Sequence, residues 1–203
     1  MTKRLLDLFV AAVALLLLWP LLIAIALAVR LDSPGPALFK QVRVARGGRR
    51  FNILKFRTMR ATPQPSGPLL TAAGDSRITA VGAVLRRTKL DELPQLINVL
   101  KGDMSLVGPR PEVPKYVALY PADIREIVLS VRPGITDEAA IEFSDESALL
   151  ASAADPERAY VQDILPRKLQ HYVQYVRHHT LVGDLRIIAR TLQRLVKQPP
   201  GSA

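Results

Sequence analysis

From Leu8 to Val29 the chain runs without a charge through LFVAAVALLLLWPLLIAIALAV. A helix needs about 20 apolar residues to cross the hydrocarbon core of a bilayer, so this run is long enough. Two features point to another path. Proline lacks the amide proton that a helix interior uses, and it pushes the residue before it away from helical geometry, so a break is expected at Trp19-Pro20. Both flanks are also basic. Lys3 and Arg4 precede the run, and from Arg30 to Arg60 nine basic residues face the single acid Asp32. Basic flanks stay in the cytoplasm. A proline-broken, re-entrant helix that enters and leaves on one face satisfies both constraints. A kinked full span and a cleaved signal peptide compete with it. The signal reading requires a core of roughly 7–15 residues, shorter than this run.

The net charge of +10 calls for an anionic partner: nucleic acid, anionic lipid or a phosphorylated substrate. Aromatic residues make up only 5 % of the chain, which argues against a base-stacking platform and so against nucleic acid. A polybasic run beside an apolar segment favours membrane lipid headgroups. The absence of cysteine excludes disulfides and thiolate metal sites. The length suits one domain and an anchor: a membrane segment over 1–31, a cytoplasmic domain over 32–197 and a disordered tail over 198–203.

The fold class expected is α+β and membrane-associated. Asp32-Ser33-Pro34-Gly35-Pro36 ends the anchor. Strands are expected at 37–44 and 51–56, joined by a hairpin turn at Arg46-Gly47-Gly48-Arg49. Residues 61–76, rich in Pro, Gly and small side chains, read as a long surface loop. Helices follow over 78–90 in part, 91–101 with Gly102 as the terminating residue, 115–119, 122–130, 146–151, 156–174 and 181–196. In the last of these, Arg186, Arg190, Arg194 and Lys197 recur beside Leu185, Ile188, Leu192 and Leu195. That amphipathic pattern suits a membrane interface or packing on the domain.

Neither common glycine-rich phosphate loop is present. His171, His178 and His179 have spacings that can hold a metal, but they also suit a solvated helix end. The chemistry concentrates at Arg86-Arg87-Thr88-Lys89-Leu90-Asp91-Glu92-Leu93-Pro94. One reading is helix capping, with Asp91 as N-cap or Thr88 and Asp91 as a capping box. The other is phosphoryl transfer, which needs carboxylates for Mg²⁺, cations for phosphate oxygens and sometimes a carboxylate nucleophile. Arg110, between Pro109 and Pro111, is a restrained guanidinium suited to phosphate. Arg132-Pro133-Gly134 repeats that setting, and Lys55 and Arg57 share one face of a strand.

The chain resembles the bacterial sugar transferases, the monotopic polyprenyl-phosphate phosphoglycosyl transferases. The resemblance is carried by SPGPALFKQVR (33–43), FNILKFRTM (51–59), DSRIT (75–79), LRRTKLDELPQLINVLKGDMSLVGPRPEVPKYV (85–117) and VRPGITD (131–137). The last ends in RPGITD where many members have RPGITGW, as in the small subclass built of the catalytic domain alone. The resemblance implies that the 32–197 unit is catalytic and works with Mg²⁺ at the cytoplasmic face of the bacterial inner membrane. The reaction implied takes a UDP-sugar and polyprenyl (undecaprenyl) phosphate to polyprenyl-diphosphate-sugar and UMP, initiating glycoconjugate assembly. By the resemblance Asp91 is the nucleophile that forms a covalent phosphosugar intermediate. Glu92, with Asp91, is the Mg²⁺ contact. Arg86 and Arg110 are phosphate-binding, and Lys55, Arg57, Arg77 and Arg132 are weaker matches to that role. A homo-oligomer is compatible with the sequence. The rival functions are a non-catalytic membrane adaptor and an anchored nucleic-acid-binding protein.

Overall fold

A computed structural model describes residues 2–60, 75–143 and 146–197. The first helix, α1, runs from Thr2 to Asp32. It is long and apolar enough to cross a membrane, by length and composition. The interruption expected at Trp19-Pro20 does not end it: the backbone stays helical on both sides and Pro20 lies inside. Proline removes one amide from the helical ladder, and a long helix held at both ends tolerates that single loss.

Both ends of α1 are fastened to the rest of the molecule. Near its start, Lys3 Nζ donates to Asp184 at 2.6 Å, Arg4 donates to the carbonyl of Val99 at 2.8 Å, and Asp7 accepts from the hydroxyl of Ser105 at 2.7 Å. Ala11 packs with Phe51, Ile53, Leu96, Val99 and Met104. Near its end, Ile25 and Val29 pack with Phe56 and Leu85. The middle is bare, with Leu16 72 %, Leu17 70 % and Trp19 57 % exposed. A bare apolar stretch between two fastened ends is the part of α1 that water disfavours.

The expected hairpin is present. Strands β1 (Leu38–Val44) and β2 (Arg50–Phe56) pair antiparallel, with Leu38 opposite Phe56 and Val44 opposite Arg50. The turn at Arg46–Gly48 puts Gly47 and Gly48 at φ 69° and 79°, values that glycine adopts without steric cost. Helix α2 (Ala80–Thr88) is capped by Thr79, whose hydroxyl accepts from Gly82 N at 3.0 Å. Helix α3 (Gln95–Lys101) ends at Gly102, φ 87°, as the sequence suggests.

A second sheet went unread in the sequence. Strands β3 (Ser105–Val107) and β4 (Gly134–Thr136) pair in parallel. Three-residue strands are too short for periodicity to reveal. Around them pack α4 (Pro114–Val117), α5 (Ala122–Leu129), α6 (Glu138–Glu142), α7 (Glu146–Ser152), α8 (Pro156–Ala159), α9 (Leu165–His178) and α10 (Leu181–Lys197). The helix expected over 156–174 is divided by a wide turn at Tyr160–Ile164 before Pro166. The largest core cluster lies here, built on Val113, Tyr116, Tyr160, Leu165, Leu169 and Tyr172. The loop expected over 61–76 falls largely, and the tail over 198–203 wholly, outside the described residues.

Candidate active site

The paired carboxylates do not cap a helix. Asp91 and Glu92 lie in a short 3₁₀ turn, Leu90–Glu92, and α3 begins beyond it with Pro94 at its N-cap. Thr88 lies inside α2, where its hydroxyl donates back to Val84 O at 2.8 Å. The capping box therefore does not form. Lys89 joins α2 to the turn at φ 56°, the one non-glycine residue at positive φ among the described residues. That conformation costs roughly 1–2 kcal/mol. It reverses the chain so that Arg86, on the last turn of α2, and Asp91 come within electrostatic reach of each other.

The two carboxylates are then treated differently. Glu92 is claimed: Lys55 Nζ donates to its Oε1 at 2.8 Å, Arg110 donates to the same oxygen, and Arg110 also approaches Oε2 at 3.5 Å. Burial opposes the charge on Glu92, but Arg110 and Lys55 override it and hold the carboxyl well below its usual range. The same pairing raises Arg110. Asp91 differs: its Oδ1 is buried and has no hydrogen-bond partner among the described residues. Burial pushes its carboxyl up, against the pull of Lys55.

Three devices hold this arrangement. Buried Asn98 on α3 accepts from Leu54 N at 3.0 Å and donates to Asn52 O at 2.9 Å, which ties α3 to the edge of β2 and sets Lys55 against Glu92. The Gly108–Pro111 segment is fixed by the small sheet, since Gly108 N donates to Thr136 O at 3.1 Å and Gly134 N to Pro109 O at 2.9 Å. A Cβ on Gly134 would lie 2.1 Å from Gly108 N, so only glycine allows the approach that positions Arg110. Behind Arg110, Glu112 accepts from Tyr160 at 2.5 Å and pairs with Arg43 at 3.5 Å. Asn98, Glu112 and Tyr160 were missed by the sequence reading, because nothing local marks a residue whose partners lie some 46 or 48 positions away.

The structure gathers some of the expected phosphate binders and disperses others. Lys55, Arg86 and Arg110 surround the carboxylates. Arg77 is clamped by Asp75, at 2.9 and 2.6 Å, and that hydrogen-bonded pairing holds Asp75 at about 2. Arg57 is buried and spends its guanidinium on the end of α1, donating to Ser33 O, Ser33 Oγ, Pro34 O and Pro36 O within 2.8 Å. Arg132 donates to Gly102 O at 3.0 Å and lines a separate recess at the amino end of α1. His171 meets Glu142 at 2.8 Å. His179 stacks on Tyr175. No cluster of three or more His, Asp and Glu suited to a metal occurs among the described residues.

A cavity of about 540 Å³ adjoins the site. Lys89, Glu92 and Arg110 line it together with Tyr116, Tyr160, Tyr172 and Lys168, and Val10, Ile188 and Leu192 add lining from α1 and α10. Asp91 is not among the lining residues, whereas its neighbour Glu92 is.

The family model described as bacterial sugar transferase matches residues 1–198. The chain belongs to the bacterial sugar transferase family. Among curated members, it is 40 % identical over 198 residues to UDP-glucose:undecaprenyl-phosphate glucose-1-phosphate transferase of Caulobacter vibrioides, covering 96 % of this chain and 69 % of that protein. It is 38 % identical over 196 residues to UDP-N-acetylgalactosamine-undecaprenyl-phosphate N-acetylgalactosaminephosphotransferase of Aeromonas hydrophila, covering 96 % and 43 %. The glucose-1-phosphate transferase of Escherichia coli K12 is 37 % identical over 193 residues, covering 94 % and 39 %. This member of the family thus spans about two-thirds of the first relative and about two-fifths of the other two. Two of these names specify glucose and one N-acetylgalactosamine, while undecaprenyl phosphate is common to all three.

Proposed function

We propose that this chain transfers a sugar phosphate from a UDP-sugar to undecaprenyl phosphate, with Asp91 as nucleophile. The observation that carries the reading is the asymmetry of the carboxylate pair: Glu92 is tied to Lys55 and Arg110, whereas Asp91 keeps a buried oxygen with no partner among the described residues. A poorly solvated, unshared carboxylate is the one suited to attack phosphorus.

In the first step an Asp91 carboxylate oxygen bonds to the sugar-bearing β-phosphorus. The bond from that phosphorus to the bridging oxygen breaks, and UMP leaves with the bond's electron pair. In the second step a phosphate oxygen of the polyprenyl phosphate bonds to the same phosphorus and displaces Asp91. Two anionic substrates then use one site in turn. Arg110, Arg86 and Lys55 neutralise the phosphoryl oxygens.

The site fits Mg²⁺, because magnesium is commonly held by one or two carboxylates together with substrate phosphates and water. Among the described residues Asp91 Oδ1 is without a partner, and Glu92 Oε2 has only the 3.5 Å approach of Arg110. Asp91 and Glu92 would hold the ion, and it would supply charge neutralisation at the diphosphate.

We also read α1 as entering and leaving one leaflet, on the cytoplasmic face of the inner membrane. Its two ends are fastened to the same domain, which supports placing both on one side of the bilayer. Exposed Val182, Leu185 and Leu192 on α10 suit an interfacial position.

The test is UMP release from a panel of UDP-sugars with undecaprenyl phosphate and Mg²⁺, for wild type and Asp91→Asn. Lipid-dependent release that is lost in Asp91→Asn is expected. Release that survives in the variant refutes the nucleophile, and no release from folded wild type with any sugar favours the adaptor.

A further inference from the structure

A second recess, of about 290 Å³, lies at the amino end of α1. Lys3, Arg4, Arg46 and Arg132 line it, with Asp7 as the only carboxylate among its lining residues. These cations come from three separate stretches: the first turn of α1, the hairpin turn and the segment before β4. Neither Asp91 nor Glu92 lines it.

The acids at this end are already spent. Asp7 accepts from Ser105 Oγ at 2.7 Å and from Leu106 N at 3.2 Å. Asp184 accepts from Lys3 at 2.6 Å and from the Tyr175 hydroxyl at 2.8 Å. The hydrogen bonds of the arginines, by contrast, go to neutral carbonyls among the described residues. Arg4 donates to the carbonyls of Val99 and Met104, and Arg132 to that of Gly102. Arg46 is exposed and has no ion-pair partner among the described residues. Burial and then repulsion by Arg132 lower Arg4 from its ordinary value, against a weaker pull from Asp7, so two mutually repelling cations line the recess beside one carboxylate that is already committed to Ser105 and Leu106. The first turn of α1 also carries no acid, and the positive end of its dipole adds to the same field.

The depth of the recess follows from the chain. Lys3 and Arg4 come just before the uncharged run that starts at Leu8. Basic residues at the end of a membrane-embedded helix lie at the level of the lipid phosphates. We infer that this recess binds the headgroup phosphate of an anionic phospholipid, at a site separate from the one around Glu92. A zwitterionic headgroup is disfavoured, because its ammonium finds only the committed Asp7. The inference rests on the membrane reading of α1.

The full chain in neutral detergent is titrated by calorimetry with dihexanoyl phosphatidylglycerol, dihexanoyl phosphatidylcholine and inorganic phosphate. The expected result is one site per chain for phosphatidylglycerol, weaker at high salt, with tighter binding than either other probe. Arg46→Ala and Arg132→Gln should each weaken it about fivefold, the usual contribution of one basic residue near an anionic lipid surface. Equal affinity for phosphatidylcholine, or an unchanged constant in the double variant, overturns the site. Inorganic phosphate bound as tightly as phosphatidylglycerol overturns the lipid assignment. Arg46 is exposed, so Arg46→Ala and Arg46→Glu carry the test if Arg132→Gln does not fold. The membrane reading fails separately, by a chain that stays monodisperse once detergent is removed.

Discussion

Replacing Arg57 by lysine separates two roles that its position allows. All three nitrogens of the guanidinium donate to the turn that ends α1: Nε to Pro36 O at 2.8 Å, one terminal nitrogen to Ser33 Oγ and Pro34 O at 2.7 Å each, and the other to Ser33 O at 2.7 Å and Val29 O at 3.3 Å. Arg57 is only 6 % exposed, so water does not replace a lost donor. An ammonium has three donors where the guanidinium has five, so lysine leaves about two of these acceptors unmet. Each lost bond to a charged donor costs about 1.5–3 kcal/mol, which puts Arg57→Lys about 3–6 kcal/mol below wild type. For a chain of this size each kcal/mol lowers the unfolding midpoint by about 2–4 °C, so a drop of at least about 6 °C is expected. The assay is thermal unfolding in detergent beside KM for the UDP-sugar, measured on the folded fraction. A lowered midpoint with KM within about twofold of wild type is the expected result. An unchanged midpoint with KM raised about tenfold would refute the reasoning and restore Arg57 to the substrate phosphates.

Other perturbations have equally definite outcomes. Burial pushes the Asp137 carboxyl up to about 6 despite nearby Arg110. Its folded value lies above its unfolded one, so the favourable protonated form is lost as pH rises through about 6, and Asp137→Asn should abolish a stability decline of about 3 kcal/mol between pH 4 and 7. Denaturant midpoints across that range check this, and parallel curves for both proteins would count against it. Gly134→Ala forces a methyl into Gly108 N and should cost at least about 1–3 kcal/mol. Transfer activity should also be lost through displacement of Arg110, while an active, stable variant would show that the sheet yields. Lys89→Gly should raise the unfolding midpoint by relieving the left-handed backbone, and denaturation with and without the substitution measures it. Chelation by EDTA should stop UMP release and excess Mg²⁺ should restore it.

What the sequence revealed and what it hid divide along a physical line. The anchor, the hairpin and the end of α3 were legible because each is written locally: an uncharged run, a Gly-Gly turn between strands, a glycine after a helical segment. Asp91 and Glu92 stood out as adjacent acids in a basic stretch, but their unequal treatment was invisible, since it depends on Lys55 and Arg110 arriving from 37 and 18 residues away. Arg57 and Lys55 looked alike as two cations expected on one strand face, yet β2 ends at Phe56, Arg57 is consumed by the turn after α1 and Lys55 reaches Glu92. Arg132 repeats the proline-flanked setting of Arg110 but sits in the other recess. The β3–β4 pair is set by a close backbone approach between Gly108 and Gly134, and no pattern of hydrophobicity encodes that.

The way α1 is fastened bears on any attempt to obtain a water-soluble version by trimming. Ala11 fills a place among Phe51, Ile53 and Val99, and Ile25 and Val29 cover Phe56 and Leu85. Cutting the first 32 residues would therefore uncover two interior surfaces, remove the Val29 carbonyl from Arg57 and leave the Ser33–Pro36 turn that Arg57 holds at a free chain end. The shortened chain is expected to aggregate, because exposed contiguous apolar surface associates. Solubilising substitutions belong instead on Leu16, Leu17 and Trp19, the side chains that α1 turns away from the protein.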